Sequence, residues 1–304
     1  MSNLSLNIKA QPSFLLLIAI IIGLSHFSPS VMAASDFENA SRLAEQGDAQ
    51  VQFELGRMYM NGKGVERDDE KALYWYQKAA EQELACAQNN LGWMYRHARG
   101  KGGSQDLNVA FSWFKKAAVQ GHSKAQTSLG WAYLQGQGIE KDAEKALFWI
   151  NKAVAQRNAQ AQNNLGWMYY SGKAVSQDYD KALYWYKVAA KEDNKYAQTN
   201  LARMFENGIG VDADIEKAIY WHGKAAENGY AYLKLNMARR YEDGRRVEPD
   251  DKKAFEWYLK AAKQGNTDAQ KKVGAMYESG RGVEPNEEKA LYWFKKLRQS
   301  EARD

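Results

Sequence analysis

The stretch Ala159 to Asn194, AQAQNNLGWMYYSGKAVSQDYDKALYWYKVAAKEDN, decides the fold, because the chain carries it seven times with variations. Within it Ala161, Leu165, Gly166 and Tyr169 fall at i, i+4, i+5 and i+8, one face of a helix with about 3.6 residues per turn. Gly172 and its turn-forming neighbours end that helix. Asp178 has the chemistry of an N-cap, since its carboxylate accepts from the free N–H groups of the next first turn. A second helix then presents Ala182, Trp185, Tyr186 and Ala189 on one side. Two helices of roughly 12 residues and a short loop make a hairpin. One hairpin cannot bury its apolar face alone, so it stacks on copies of itself.

The copies run 49–84, 85–122, 123–158, 159–194, 195–230, 231–266 and 267–304. Their slots align through Leu55, Leu91, Leu129, Leu165, Leu201, Met237 and Val273, each followed by Gly or Ala. The second helices align through Trp75, Trp113, Trp149, Trp185, Trp221, Trp257 and Trp293. The step is 36 residues throughout except for one of 38, which places a two-residue insertion in the second copy. The small residue predicts close approach of two helices, and the Trp is expected to fill the gap between successive hairpins.

The run AQNNLGWMY, a Gly-containing loop and then DYDKALYWYKVAA resembles the Sel-one-like repeat (SLR), a relative of the tetratricopeptide repeat, over the whole chain after residue 36. The resemblance implies an all-α, right-handed α-solenoid with the first helices lining its concave side. It also implies an adaptor or binding scaffold rather than an enzyme. Residues 36–48 read as half of a repeat that caps the first hairpin, and the polar tail after Leu297 reads as the terminal cap. Uniform repetition argues for one continuous solenoid.

The net charge is +5, and the 26% of charged residues are mixed in sign. Neither a nucleic-acid surface nor a run of one charge is present in that pattern. Residues 1–33 differ in kind: Lys9 precedes an apolar run from Phe14 to Leu24, and Val31-Met32-Ala33 suits a signal peptidase. Eleven apolar residues are too few to span a bilayer. The expectation is a leader cut after Ala33, a periplasmic or secreted protein, and no membrane insertion thereafter; an uncleaved anchor is the alternative. Without its first 33 residues the chain keeps 41 Lys and Arg against 37 Asp and Glu. The lone Cys86 excludes an internal disulfide, so stability is expected to come from packing. Some secreted SLR proteins staple each hairpin with a disulfide, and this chain departs from that pattern.

No His pair has the i, i+4 spacing that places two imidazoles on one metal, so neither a metal nor a cofactor is expected. His222 occupies the aromatic slot after Trp221 and reads as packing. Ser112-Trp113-Phe114-Lys115 fits the S-x-x-K pattern of penicillin-recognising enzymes, but its partner motifs S-D-N and K-T-G do not occur. No catalytic residue is assigned.

Binding information is expected where the copies differ. By analogy with tetratricopeptide hairpins, the positions two before and two after the Leu slot face the groove. The earlier reads Phe53, Asn89, Thr127, Asn163, Thr199, Leu235, Lys271; the later reads Arg57, Trp93, Trp131, Trp167, Arg203, Arg239, Ala275. Trp93, Trp131 and Trp167 suggest a ladder flanked by Asn89 and Asn163, with Arg57, Arg203 and Arg239 nearby. Trp gives apolar contact at low entropic cost, Asn holds peptide backbone, and Arg takes carboxylates. The expectation is a groove for an extended or loop-like protein segment with acidic flanks. The alternative is that the indoles pack on one another and set the curvature. A second candidate is the basic insertion loop with Arg96, Arg99 and Lys101, whose plain alternative is a solvated turn. The reading is thus a monomeric, non-enzymatic exported scaffold, an envelope regulator or adaptor. Its alternatives are a secreted host-interaction protein or a β-lactamase-like or cell-wall enzyme.

Overall fold

In the computed structural model, which describes residues 29–99, 105–227, 229 and 231–301, every copy of the repeat is a helical hairpin. The chain divides into two compact units, one ending at Gln120 and the other beginning at Gly121. The first unit holds α1 (Pro29–Glu45), α2 (Ala49–Asn61), α3 (Asp69–Glu81), α4 (Ala85–Arg96) and α5 (Leu107–Val119). The second begins with α6 (Ser123–Gln135), α7 (Ala143–Ala155), α8 (Ala159–Ser171), α9 (Tyr179–Lys191) and α10 (Lys195–Asn207). It continues with α11 (Ile215–Glu227), α12 (Ala231–Asp243), α13 (Asp251–Lys263), α14 (Thr267–Ser279) and α15 (Glu287–Glu301). Each unit is all-α, a run of α-solenoid in which each hairpin packs on the next. The described residues contain no strand.

The caps explain why the helices start and stop where they do. Asp178 accepts from the Lys181 backbone N–H at 2.9 Å, and Asp68, Asp106, Asp142, Asp214 and Asp250 repeat that bond one hairpin apart. Gly172 closes α8 at φ 67°, a left-handed turn that a Cβ would strain. In the first unit α1 covers the open side of α2. Phe37 meets Tyr59 edge-on at 5.4 Å, and the Ala44 carbonyl accepts from Gln52 Nε2 at 3.0 Å. The helix starts earlier than residue 36. The leader expectation falls on residues 1–28, outside those described, and runs on into the start of α1.

The close approach and the Trp belong to different seams: Trp185 packs with Ile150 of the preceding hairpin and with Leu165 and Met168, whereas the close approach lies within one hairpin. The side chain beneath the small residue is the one after the Trp. A Cβ on Gly166 would lie 2.8 Å from Tyr186 Cδ1, and Gly56 stands in the same relation to Tyr76, Gly92 to Phe114 and Gly130 to Ile150. Each helical step rotates the side chain by about 100°, so the Trp swings to the edge of the seam while its successor points into it. Tyr186 is fully buried, Trp185 is partly buried, and Tyr184, one step earlier, is exposed.

A second feature carries no apolar signal at all. Gln52, Gln88, Gln162, Gln198 and Gln270 occupy one buried slot of the first helix. The amides of Gln52, Gln88, Gln198 and Gln270 reach back to the end of the preceding helix, Gln88 to Ala80 O at 3.2 Å and Gln198 to Ala190 O at 3.1 Å. These bonds satisfy carbonyls that a helix C-terminus leaves open.

The capping carboxylates make stability depend on pH. Asp68, Asp178 and Asp250 are held below the ordinary carboxylate range first by backbone N–H groups, and Asp142 and Asp214 first by the lysine ammonium three residues on. A depressed folded pKa stabilises above the unfolded value of about 3.9, and that contribution is lost as pH falls through the folded values. Burial lowers the pKa of His222 and His122, so the unfolded chain takes up their protons first, and stability begins to fall below about pH 6.5. A melting series from pH 8 to 3 is expected to show a shallow decline below about 6.5 and a steep one below about 4. Asp178→Asn, which keeps a cap but removes its titration, is expected to shift the acid limb towards milder loss.

Candidate interaction face

In the first unit the exposed side of α2 and α4 carries Arg57 and Trp93 at the same slot of successive hairpins. Trp93 is 42% exposed although it sits on a helix whose other side is closed core. Its ring leans on His97 at 4.6 Å. It borders a cavity of about 460 Å³ together with Arg57, Arg67, Asn89, Arg99 and the buried ring of Tyr76. Arg57 binds the exposed carboxylate of Glu54 at 2.9 Å. Arg67 and Arg99 share Asp69, at 2.9 and 3.1 Å. Three guanidinium groups thus line a cavity beside an open indole, and the half-buried Asn89 side chain donates to Asn90 Oδ1 at 3.3 Å.

In the second unit Trp131 and Trp167 meet at 5.4 Å with planes tilted by 59°, and both are half-buried. Lys173 lies over the Trp167 ring at 5.0 Å. These two indoles pack on each other, as the curvature alternative foresees, while keeping part of their surface open. Asn163 is corrected: it is 6% exposed and its Oδ1 accepts from Asn200 at 3.1 Å, so it serves a helix-to-helix bond and not the open face. The reason extends to other members of the earlier slot, though Asn89 and Thr199 are half-buried and Lys271 is exposed. Each first helix has a neighbour on its flank, and Phe53, Thr127 and Leu235 are also buried there. The later slot stays open at Arg57, Trp93, Arg203 and Arg239. Of the insertion loop, Arg99 joins the first unit's cavity and Arg96 is half-buried, its burial lowering the guanidinium pKa. Lys101 lies outside the described residues.

The second unit also holds an ion network with no counterpart in the sequence reading. Glu206, 16% exposed, takes Arg240 at 2.9 Å, His222 at 3.4 Å and Arg246 at 3.6 Å. Glu242 takes the Tyr258 hydroxyl at 2.5 Å, Lys272 at 2.8 Å and Arg281 at 3.4 Å. Burial opposes ionisation of both carboxyls, but the paired cations prevail and hold each below its usual range. His222 is therefore more than packing. The signal was present in the alignment: Arg240 stands in the slot that holds Met58, Met94, Met168, Met204 and Met276 in sibling repeats.

Other candidate groups are in ordinary settings. Ser112 Oγ donates to the Asn108 carbonyl at 3.0 Å, and burial pushes the Cys86 thiol up, away from an activated thiolate. Among the described residues no cluster of three His, Cys, Asp or Glu has the arrangement of a metal site, and no helix is long and apolar enough to cross a membrane.

The Sel1 repeat description matches residues 49–84, 87–122, 123–158, 159–194, 195–230, 233–266 and 267–298. Among curated proteins none matches this chain. Among solved structures it is similar to a Sel1 repeat protein from Oxalobacter formigenes, at 34% identity over 91% of this chain and 79% of that one, with a TM-score of 0.56. It is also similar to a protective antigen present in uropathogenic Escherichia coli strains that displays an SLR fold, at 32% identity and a TM-score of 0.50. The match to that antigen covers 86% of this chain and 64% of the antigen. Such repeats generally serve as protein-interaction scaffolds and typically have no catalytic role. With seven matched copies stacked as helical hairpins in two units, the chain belongs to the Sel1 repeat family.

Proposed function

We propose that the protein is an exported, non-enzymatic scaffold that captures an extended, acid-flanked segment of another protein on the open side of its first helices. The observation that carries this reading is Trp93, an indole 42% exposed beside a cavity of about 460 Å³ with three arginines. A rigid aromatic anchor ringed by guanidinium groups gives a desolvated contact at the centre and carboxylate recognition around it. The Arg57–Glu54 pair is exposed at both ends, so exchanging Glu54 for a partner carboxylate costs little. Trp131 and Trp167 offer a second aromatic surface in the other unit. The leader pattern of residues 1–33 supports a periplasmic or secreted location, and an envelope regulator or adaptor fits that location.

A second reading, contact with a host protein outside the cell, is favoured by the similarity to the protective antigen of uropathogenic strains. The two readings share the binding face and differ in the source of the partner. The test is capture by purified residues 34–304 from envelope extract and from host-cell extract, beside a Trp93→Ala variant. Trp93→Ala is expected to weaken capture by about 30-fold or more, the loss of one anchor worth roughly 2 kcal/mol, with its melting temperature nearly unchanged. Equal capture by both proteins contradicts the assignment of this face. Turnover of nitrocefin or release of peptidoglycan fragments contradicts the non-enzymatic role.

A further inference from the structure

The second unit has a cavity of about 620 Å³ whose lining includes Arg203, Arg239, Arg240, Lys272 and His222. Its wall carries five guanidinium or ammonium groups against three carboxylates. The siblings show how little of this the fold needs. Arg240 replaces Met or Ala at a slot that is apolar in the six other repeats, and His222 stands where the siblings have Tyr, Phe or Ile. The Glu206 slot varies more, reading Met60, Arg96, Leu134 and Tyr170 before it and Glu242 and Glu278 after it. A half-buried ion pair in an apolar slot is often no more stabilising than the apolar residues it displaces. The polar set is therefore unexplained by packing.

Not all of its donors are used up internally, although Arg240, Arg245 and Lys272 each hold a carboxylate of the wall. Glu206 binds Arg240 through Nη2, while Arg240 Nη1 is buried with no hydrogen-bond partner. Arg203, exposed one hairpin from Arg239, has no carboxylate partner among the described residues. Arg239 is occupied by Asp268 at 3.1 Å, and that carboxylate is 67% exposed. A carboxylate is thus already seated on one arm of the cluster, in a pair weak enough to exchange.

We propose that this cavity is a carboxylate-recognition site for an acidic peptide, read by Arg203 and Arg240 with Arg239 at its rim. The planar fork of a guanidinium matches a carboxylate through two parallel bonds. A phosphate dianion fits less well, because Glu206, Glu242 and Asp243 share the wall and repel a second negative charge. The site takes protein as its ligand class from the scaffold reading, but it lies wholly in the second unit. Its failure therefore leaves the Trp93 result standing, and the reverse.

The test is fluorescence anisotropy of the full mature chain with a fluorescein-labelled hexaglutamate peptide at low salt. Competitors are unlabelled hexaglutamate, an amidated hexaglutamine peptide and inorganic phosphate. Arg203→Ala is expected to weaken hexaglutamate binding at least tenfold, and Arg203→Lys to recover only part, since the charge returns without the fork. The double variant Glu206→Leu/Arg240→Met installs residues of sibling type; it is expected to melt at or above the parent temperature and to lose binding at least tenfold. Lys224→Ala, which removes a half-buried cation on α11 that lies over Tyr220 and outside the cavity lining, is expected to change nothing. An equal loss with Lys224→Ala, unchanged binding in Arg203→Ala, or phosphate competing as well as hexaglutamate would each overturn the site.

Discussion

Gly166→Val is expected to destabilise the second unit by roughly 3 kcal/mol, the upper range for forcing extra atoms into a packed core. A Cβ at this position would lie 2.8 Å from Tyr186 Cδ1, 2.9 Å from Cε1 and 3.3 Å from Cγ. Tyr186 is 1% exposed and has nowhere to retreat, so α8 and α9 must separate. The two further methyl groups of Val deepen the overlap. Gly166→Ala meets the same ring with one atom, and the gain of about 1 kcal/mol from replacing a helical Gly offsets part of the loss. Urea unfolding followed by circular dichroism reads both. Combining Gly166→Val with Tyr186→Leu is expected to recover part of the stability, because residues in contact do not add independently. An unchanged midpoint for Gly166→Val would contradict the close approach.

Tyr186→Ala is expected to cost about 3–5 kcal/mol, as large aromatic truncations in a closed core do. Tyr184→Ala, two positions earlier on the same helix, is expected to stay within about 0.5 kcal/mol. Tyr184 is 59% exposed and touches Trp185 edge-on at 5.0 Å, whereas Tyr186 fills the seam beneath Gly166. Trp185→Ala is expected to fall between the two, since its ring covers the edge of the seam. The same urea series orders the three variants. A larger loss from Trp185→Ala than from Tyr186→Ala would contradict the closed seam beneath Gly166.

The hairpin was legible because it rests on local chemistry. Asp178 caps α9, Gly172 ends α8, and the Leu slot is buried in both units, all from a single 36-residue pattern. The open slot two residues after the Leu was legible too, since Arg57, Trp93, Arg203 and Arg239 are exposed. What escaped depends on pairing between repeats. Asn163 meets Asn200 only because two first helices lie side by side. Glu206 and Arg240 are 34 residues apart, and nothing in either helix alone marks them as partners. A charge in a slot that is apolar elsewhere was the available signal, and it is visible only when the copies are read against one another.

The binding face is tested most directly by hydroxyl-radical footprinting of the chain with and without its captured partner. Trp93 on α4 and Tyr74 on α3 belong to the same unit and are comparably exposed, at 42% and 53%, but sit on the first and second helix of their hairpins. Oxidation of Trp93 is expected to fall several-fold on binding while that of Tyr74 holds steady. Protection of Tyr74 with Trp93 unchanged would place the partner on the second helices and contradict the groove.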